Sequence, residues 1–279
     1  MAITSIDTYL AGQRQRIGWY KSASITTVAN IPFSLFDQAG NPGSGTLAGT
    51  TVASAILQDD TVAGYPFIQF TTGGSYLSKI EFGSPVACRM RLVDVITKGG
   101  AYGFTGQTTI VSSYPSITSR CPDFTTTSSP YGTRNEIWVE VVQAFVTGTA
   151  WQVQVTYKNQ SGVTATSIVS SAQAAAALTK NRLFQLALQS GDTGVQSILS
   201  VIVTNGGTAM TAGTFNVLIV RELWSSGRVR VANDGDIHDM LKTGMPLIYN
   251  TAALTVWVQT DSTASSTPEL FFEIANNGV

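Results

Sequence analysis

An alternating segment near the middle of the chain constrains the fold more than any other. From Trp151 to Tyr157 the sequence is Trp-Gln-Val-Gln-Val-Thr-Tyr, so the apolar side chains recur at every second position. A period of two places successive side chains on opposite faces of a β-strand, with one face buried. The outward residues are neutral amides and a hydroxyl, where soluble proteins commonly place lysine and glutamate. We predict an antiparallel hairpin over 137–157, of which this segment is the second strand.

Neutral polar residues replace charged ones along the whole chain. Asp, Glu, Lys and Arg make up 12% of the 279 residues, and the net charge is −1. A typical soluble domain carries about twice that charged fraction. The 43% hydrophobic content disfavours intrinsic disorder. We expect no specific nucleic-acid partner and no membrane partner, because so small a net charge gives no broad electrostatic attraction to either. A weakly charged surface also resists self-association poorly, so we expect much of it to lie against other subunits.

The N-terminal sequence and the cysteines bear on where the chain is made. The first seven residues carry neither a basic region nor an apolar one, so we expect no cleaved signal peptide. No apolar run approaches the roughly 18 residues of a membrane span, so we expect a soluble chain. Cys88 and Cys121 fit no metal-binding or redox spacing. We therefore expect synthesis in the cytoplasm with free thiols, and a single disulfide remains open.

Short apolar segments separated by Gly, Asn and Ser turns predict a mainly antiparallel, all-β fold of the β-sandwich or jelly-roll-like type. We predict an N-terminal arm, short helix and linker over 1–60 and a β-sandwich domain over 61–279, with two smaller sandwiches divided near 112–135 as the alternative. The strand candidates beside the hairpin are 65–70, 76–82, 90–96, 198–204, 215–222, 254–259 and 270–274.

Two segments predict additional short helices. Ser5 can cap the first, with Asp7 in its first turn and Arg14 and Arg16 in its last, where charges complement the helix dipole. This helix either docks on its own domain or forms an arm that grips a neighbouring subunit. The second helix is predicted over 171–181, around four consecutive alanines.

No catalytic constellation is recognisable in the sequence. His238 is the single histidine, which excludes any site that needs two, and no Gly-x-Ser-x-Gly elbow accompanies it. The acidic cluster Asn233–Asp239 can offer oxygens to calcium, but its spacing is not that of an EF-hand. A helix over 237–243, capped by Asp236 and ended by Gly244, explains the cluster better. We therefore predict no catalytic residues, no metal and no cofactor.

Several further residues have a structural interpretation beside a functional one. The segment Gly100–Gly106 is followed by strand-like residues rather than a helix, which favours a glycine-rich hairpin connection over a dinucleotide-binding loop. Glu140 is predicted to face outward on its strand, and Asp59–Asp60 to form a turn, although paired carboxylates of a glycosidase remain open. Trp138 and Trp257 are predicted to pack in a core or an interface.

Five segments resemble virion structural proteins of tailed bacteriophages. This resemblance implies a non-enzymatic particle component and assigns no role to any single residue. It favours a decoration, cement or minor capsid protein over a major capsid protein, which would need a long spine helix, and over a fibre shaft, which would show repeats. A tail-tube protein is also β-rich and is less easily dismissed. The segments are Ile6-Asp-Thr-Tyr-Leu-Ala-Gly-Gln13, Leu35-Phe-Asp-Gln-Ala-Gly-Asn-Pro-Gly43, Arg91-Leu-Val-Asp-Val-Ile96, Gln189-Ser-Gly-Asp-Thr-Gly-Val195 and His238-Asp-Met-Leu-Lys-Thr-Gly-Met-Pro-Leu-Ile-Tyr249.

The same resemblance implies a chain that is made in the host cytoplasm and built into the virion, with the major capsid protein or other virion subunits as partners and a homo-oligomeric state. The alternative is a head-fibre, tail or receptor-binding β-sandwich that binds host surface glycans; a secreted glycan-active enzyme ranks last. The residues predicted to contact partners are Ile6, Tyr9, Leu10, Arg14, Arg16, Trp19, Tyr20, Gln152 and Gln154.

Overall fold

The computed structural model describes residues 5–49, 55–103, 108–111, 114–121, 134–145, 151–173, 179–205 and 212–277. Over these ranges the chain forms seventeen β-strands, two short α-helices, α1 (Ile6–Ala11) and α2 (Met240–Thr243), and one 3-10 turn. The predicted all-β, mainly antiparallel fold is confirmed. The strands are β1 (Gln13–Lys21), β2 (Pro32–Ser34), β3 (Gly40–Asn41), β4 (Ile56–Leu57), β5 (Ser75–Ser84), β6 (Cys88–Gly103), β7 (Thr108–Val111), β8 (Asn135–Gln143), β9 (Trp151–Asn159), β10 (Thr164–Thr166), β11 (Leu183–Leu186), β12 (Val195–Asn205), β13 (Thr214–Ser225), β14 (Asp234–His238), β15 (Leu247–Ile248), β16 (Leu254–Thr260) and β17 (Glu269–Asn276).

The strands belong to two compact units, each assembled from separate segments of the chain. Unit 1 comprises Met1–Thr46, Asp59–Asp94 and Glu222–Val279, and unit 2 comprises Leu47–Gln58 and Val95–Arg221. The domain boundaries predicted from the sequence, 1–60 and 61–279, remain predictions.

Unit 1 is a β-sandwich. Its first sheet has the strand order β14-β5-β17-β1-β3, with β15 also paired to β5. Its second sheet contains β2, β16, the part of β6 up to Asp94 and the part of β13 from Glu222. Alternate residues of both sheets point into one apolar core, which contains Trp19 and Phe272 from the first sheet and Phe33 and Val256 from the second. Burying these two apolar rows against each other holds the sheets together.

Unit 2 also contains two sheets with facing apolar rows. One has the order β10-β9-β12-β7, and the other contains β11, β8, β4 and the unit 2 parts of β13 and β6. The ring of Trp151, on β9, lies with its centroid 5.4 Å from that of Phe215 on β13 and 5.9 Å from that of Phe184 on β11. This aromatic cluster joins the two sheets of the unit.

The predicted hairpin over 137–157 is wrong, although both of its strands exist. β8 pairs with β11 and β13, whereas β9 pairs with β10 and β12 in the other sheet of unit 2. The predicted alternation of β9 is confirmed, since Trp151, Val153, Val155 and Tyr157 are all buried. Two consecutive apolar strands can face each other across a core as well as pair edge to edge, and sequence periodicity does not distinguish these arrangements.

Most other predicted strands are confirmed, and 65–70 is the exception. The segments at 76–82, 90–96, 198–204, 215–222, 254–259 and 270–274 all lie within strands. Residues 65–70 form no strand, because their backbone groups bond to side chains: the N–H of Ile68 donates to Asp60, and Gln15 bonds both the carbonyl of Phe67 and the N–H of Gln69.

The glycine-rich segment is not a hairpin connection. β6 runs through Gly103 in one sheet of unit 2, and β7 pairs with β12 in the other sheet. Residues 104–107 lie outside the described residues. The four alanines of the helix predicted over 171–181 also lie outside the described residues. Gln173, which precedes them, forms a β-bridge with Trp151.

The N-terminal helix exists but is shorter than predicted. The Ser5 hydroxyl accepts the N–H of Thr8, which confirms the predicted cap. The helix ends at Ala11, and at Gly12 a β-carbon would lie 2.5 Å from the carbonyl oxygen of Asn276. Arg14 and Arg16 therefore lie on β1 rather than in a last helical turn.

The acidic cluster caps a helix at a different residue than predicted. Asp239, not Asp236, accepts the N–H groups of Leu241 and Lys242 at the start of α2, while Asp236 lies on β14. Gly244 ends this helix as predicted, with a left-handed φ of 69°. The chain places the cap later because β14 pairs with β5 through His238.

Glu140 is buried rather than outward-facing. It lies opposite Asn216 on the neighbouring strand, and the Asn216 amide donates to both the Glu140 carboxylate, at 3.0 Å, and the carbonyl of Leu47, at 2.6 Å. The predicted Asp59–Asp60 turn and the packing of Trp138 and Trp257 away from solvent are confirmed.

Lys21 is an unusual member of the unit 1 interior. Its side chain is 1% exposed, and its ammonium donates to the carbonyls of Pro42 and Gly43 at 2.8 and 3.1 Å. Burial lowers its pKa from 10.5 to about 8. Between these values the unfolded chain binds more protons than the folded chain, so this group makes the folded state more stable as pH rises.

We expect the unfolding free energy to rise by about 2 kcal/mol between roughly pH 7.5 and 9.5 through Lys21 alone. Chemical denaturation of the wild type and of Lys21→Met across this range isolates the contribution, because methionine keeps the apolar stem without the ionisable group. Parallel pH profiles for the two proteins would contradict this assignment.

Candidate contact surface

The first sheet of unit 1 directs one row of side chains into the core and the next row outward. On β17 the ring of Phe271 is 38% exposed between the buried Leu270 and Phe272. Phe271 pairs with Glu81 on one side and with Gly18 on the other. We call the outward residues around it the open face, which consists of Gly18, Tyr20, Glu81, Gly83, Gly235, Ile237, Glu269 and Phe271.

A groove crosses the open face where two glycines pair. Gly235 of β14 lies opposite Gly83 of β5, so neither strand places a side chain there. Ile237 and Phe271 stand beside this gap, and Glu269 lines it. The groove consists of two depressions of about 400 and 350 Å³ that share Gly83, Gly235 and Glu269.

The basic residues beside Phe271 are already neutralised within the chain. Arg16 Nη2 lies 2.6 Å from Glu81 Oε2, and the Arg16 guanidinium lies 5.2 Å from the centre of the Phe271 ring. Lys79 also bonds to Glu81, and this hydrogen bond is the largest cause that lowers the pKa of the Glu81 carboxyl. At the groove, by contrast, the exposed Glu269 forms no ion pair within the described ranges.

Helix α1 lies against the same sheet at the other end from the groove. The Tyr9 hydroxyl donates to Glu273 Oε1 at 2.9 Å, and Ser78 donates to the same oxygen. The Arg14 guanidinium lies 4.3 Å from the centre of the Tyr9 ring. Burial, followed by the bond to Glu273, raises the pKa of Tyr9. These contacts dock the helix on its own unit and leave Leu10 64% exposed.

The N-terminal residues predicted to contact partners lie on α1 and β1 of unit 1. Tyr20 pairs with Glu269 at the groove and is 47% exposed, and the Arg16 guanidinium reaches the ring of Phe271. Ile6 is the first residue of α1. Trp19 is 1% exposed and packs in the core, so its ring offers no surface to a partner.

Gln152 and Gln154 lie on β9 of unit 2 and bond within the chain. Their amides donate to the carbonyls of Ser170 and Ser167, at 2.9 and 2.8 Å. The hydroxyls of these serines accept N–H groups from β9 in return. The amide row therefore fastens segment 167–170 to the sheet, and its contact with another subunit remains a prediction.

The groove residues are the ones that sequence reasoning missed. The alternation of Leu270, Phe272 and Ile274 already places Phe271 outward, and an exposed aromatic residue on a strand is the signal that points to a surface. No comparable signal marks Gly83 and Gly235, because their pairing follows from the register of β5 and β14.

His238 packs among aromatic side chains, and its Nε2 lies 3.4 Å from Asp236 Oδ2. Its Nδ1 accepts the indole N–H of Trp224 at 2.9 Å, and its ring packs edge-on against Phe82. Among the described residues, no group of three or more His, Cys, Asp or Glu side chains is placed to hold a metal ion. Cys88 and Cys121 are both buried and form no disulfide, and burial raises the pKa of the Cys88 thiol.

Within the part of the chain that the structure describes, no helix is long and apolar enough to span a bilayer. No protein family matches the chain, and no curated protein does. Among solved structures, that of the infectious bursal disease virus Gx strain is similar with 10% identity, a TM-score of 0.26, and coverage of 94% of this chain and 80% of that one. The VP2 subviral particle of the same virus is similar with 11% identity, a TM-score of 0.21, and coverage of 95% and 80%. Similarity at this level carries no argument about fold or function.

We expect Gly235→Ala to cost about 1–3 kcal/mol of unfolding free energy and to detach β14 from the sheet. A β-carbon at this position would lie 2.3 Å from the carbonyl oxygen of Phe82. Gly227→Ala is the matched control, because a β-carbon there meets nothing within 4 Å. Denaturation curves and amide exchange of β14 measure the effect; equal stability of the two variants would contradict the close packing.

Proposed function

We propose that this chain is a non-enzymatic structural subunit of a tailed-phage particle, of the decoration, cement or minor capsid type. The observation that carries the proposal is the open face, a sheet surface with exposed Phe271, Tyr20 and Ile237 on a unit whose core is already complete. The resemblance of five sequence segments to virion structural proteins supports the same role.

The chemistry of the open face suits contact with another protein. Aromatic residues and arginine are enriched in interface cores, where a few rigid side chains supply most of the binding energy. Phe271 and Arg16 meet this description, and Arg16 is held in place by Glu81 before any partner arrives. Because this charge pair already exists, covering the ring leaves the Arg16 guanidinium paired with Glu81 rather than buried as an isolated charge.

The subunit acts mechanically in this proposal. It is made in the host cytoplasm, joins the virion, and contacts the major capsid protein, other virion subunits and further copies of itself. Many weak, near-neutral contacts across capsomer junctions then stabilise the shell against the pressure of packaged DNA.

We expect particles that lack this chain to release DNA at a lower temperature than complete particles. Purified chain added back should restore the release temperature, whereas Phe271→Asp should not, because the carboxylate would be buried without a partner. Val163→Asp is the control, since Val163 is also an exposed apolar residue, at 60%, but lies in unit 2. Thermal melts of the isolated variants separate lost binding from lost folding. Equal stability of particles with and without the chain, or absence of the chain from purified particles, would contradict the proposal.

A second candidate function is a head-fibre, tail or receptor-binding module that binds host surface glycans. The exposed Phe271 ring beside the unpaired carboxylate of Glu269 favours it, since sugar rings stack on aromatic faces and donate hydroxyl hydrogen bonds to carboxylates. Here Phe271→Ala should abolish binding of purified chain to host surface polysaccharide and reduce host attachment, while the shells remain as stable as before. Unchanged binding of the variant would exclude this use of the groove.

A further inference from the structure

The second sheet of unit 1 carries arginines on its outer side. Cys88 and Val229 form a backbone bridge with both side chains directed inward and buried, so Arg89 and Arg228 next to them point outward. Both arginines are exposed, and together with Asn30, Gln259 and Asp261 they line a depression of about 100 Å³.

Only part of this positive charge is neutralised within the chain. Arg228 pairs with Asp261 at 2.6 Å. Arg89 and the nearby exposed Arg230 form no ion pair among the described residues. We call Arg89, Arg228 and Arg230 the arginine face.

The groove of the open face carries an excess of negative charge. Glu269 and Asp234 are both exposed, and neither forms an ion pair within the described ranges. Among the described residues, the Asp234 carboxylate accepts one hydrogen bond, from the adjacent N–H of Gly235. The two sheets of unit 1 share one core, so the sandwich carries unpaired carboxylates on one outer side and unpaired guanidinium groups on the other. The chain's net charge of −1 conceals this separation.

We propose that the groove receives the arginine face of a second copy of this chain. The two unpaired carboxylates meet two unpaired arginines, so contact neutralises both sets of charge. The two depressions of about 400 and 350 Å³ leave room for a long side chain. The Phe271 ring already accepts one guanidinium, that of Arg16. A cation over an aromatic face adds a directional attraction.

This contact joins different surfaces of the two copies. Such a head-to-tail interface leaves one groove and one arginine face unused in every pair, so it extends into a ring or a filament. The inference rests on the proposed use of the open face as a contact surface, and it names the partner of that surface as the chain itself.

Sedimentation velocity of the full purified chain at about 50 mM and about 500 mM NaCl tests the contact, because salt screens charge pairs over distances of a few ångströms at the higher concentration. The wild type should associate at low salt and dissociate at high salt. Glu269→Lys and Arg89→Glu should each weaken association by about tenfold or more. Lys158→Glu, an exposed charge reversal in unit 2, should behave like the wild type.

Mixing the two defective variants gives the decisive result. Glu269→Lys retains an intact arginine face, and Arg89→Glu retains an intact groove, so the mixture should form a one-to-one complex that neither forms alone. Growth of the wild type beyond a dimer as its concentration rises separates the head-to-tail contact from a two-fold symmetric one, which would stop at a dimer. A wild type that stays monomeric at low salt, or a mixture that stays monomeric, would overturn the inference. A monomeric chain that still restores particle stability would leave the proposed function intact, which separates the two failures.

Discussion

Burial of alternate side chains between two sheets is the constraint on which the rest of unit 1 depends. Trp19, Leu270 and Phe82 lie opposite one another along one inward row of the first sheet, and they pack against the apolar row of the second. The hydrophobic contribution scales with this buried area, so register is fixed by it. Once the inward row is set, the intervening residues Gly18, Phe271 and Glu81 must point outward. The open face is thus a consequence of core packing.

The unit handles its polar groups in two different ways. On the outer side, Arg16, Lys79 and Glu81 form a compact set of opposite charges that remains partly in water. Inside, the Lys21 ammonium donates to the carbonyls of Pro42 and Gly43, and it forms no ion pair with any carboxylate of the described residues. The pKa of Lys21 is lowered because burial removes water from the charged ammonium and so disfavours its protonated form. The surface carboxylates at the groove have no such partners among the described residues. They are therefore the groups to which a partner protein can supply positive charge.

Local sequence rules predict the elements of this chain well and their partners poorly. The period of two in β9 and β17 is a property of neighbouring residues, so it survives in the structure. Pairing depends on which strands meet across tens of residues, which is why β8 and β9 form parts of facing sheets instead of a hairpin. The capping prediction erred for a related reason. Asp236 and Asp239 are both good caps by residue type, and the pairing of β14 with β5 decides between them.

The sequence by itself determined an all-β chain of low charge with buried alternating strands, a short capped helix at the N-terminus and a helix that ends at Gly244. It also predicted that Tyr9, Arg14, Arg16 and Tyr20 contact partner subunits. Only the tertiary structure brought Gly83 beside Gly235, placed Phe271 at the edge of the resulting groove, and separated the unpaired acids from the unpaired arginines. The physical reason is range: side-chain alternation and capping act over a few residues, whereas a surface is made by strands whose alignment is fixed by the core between them.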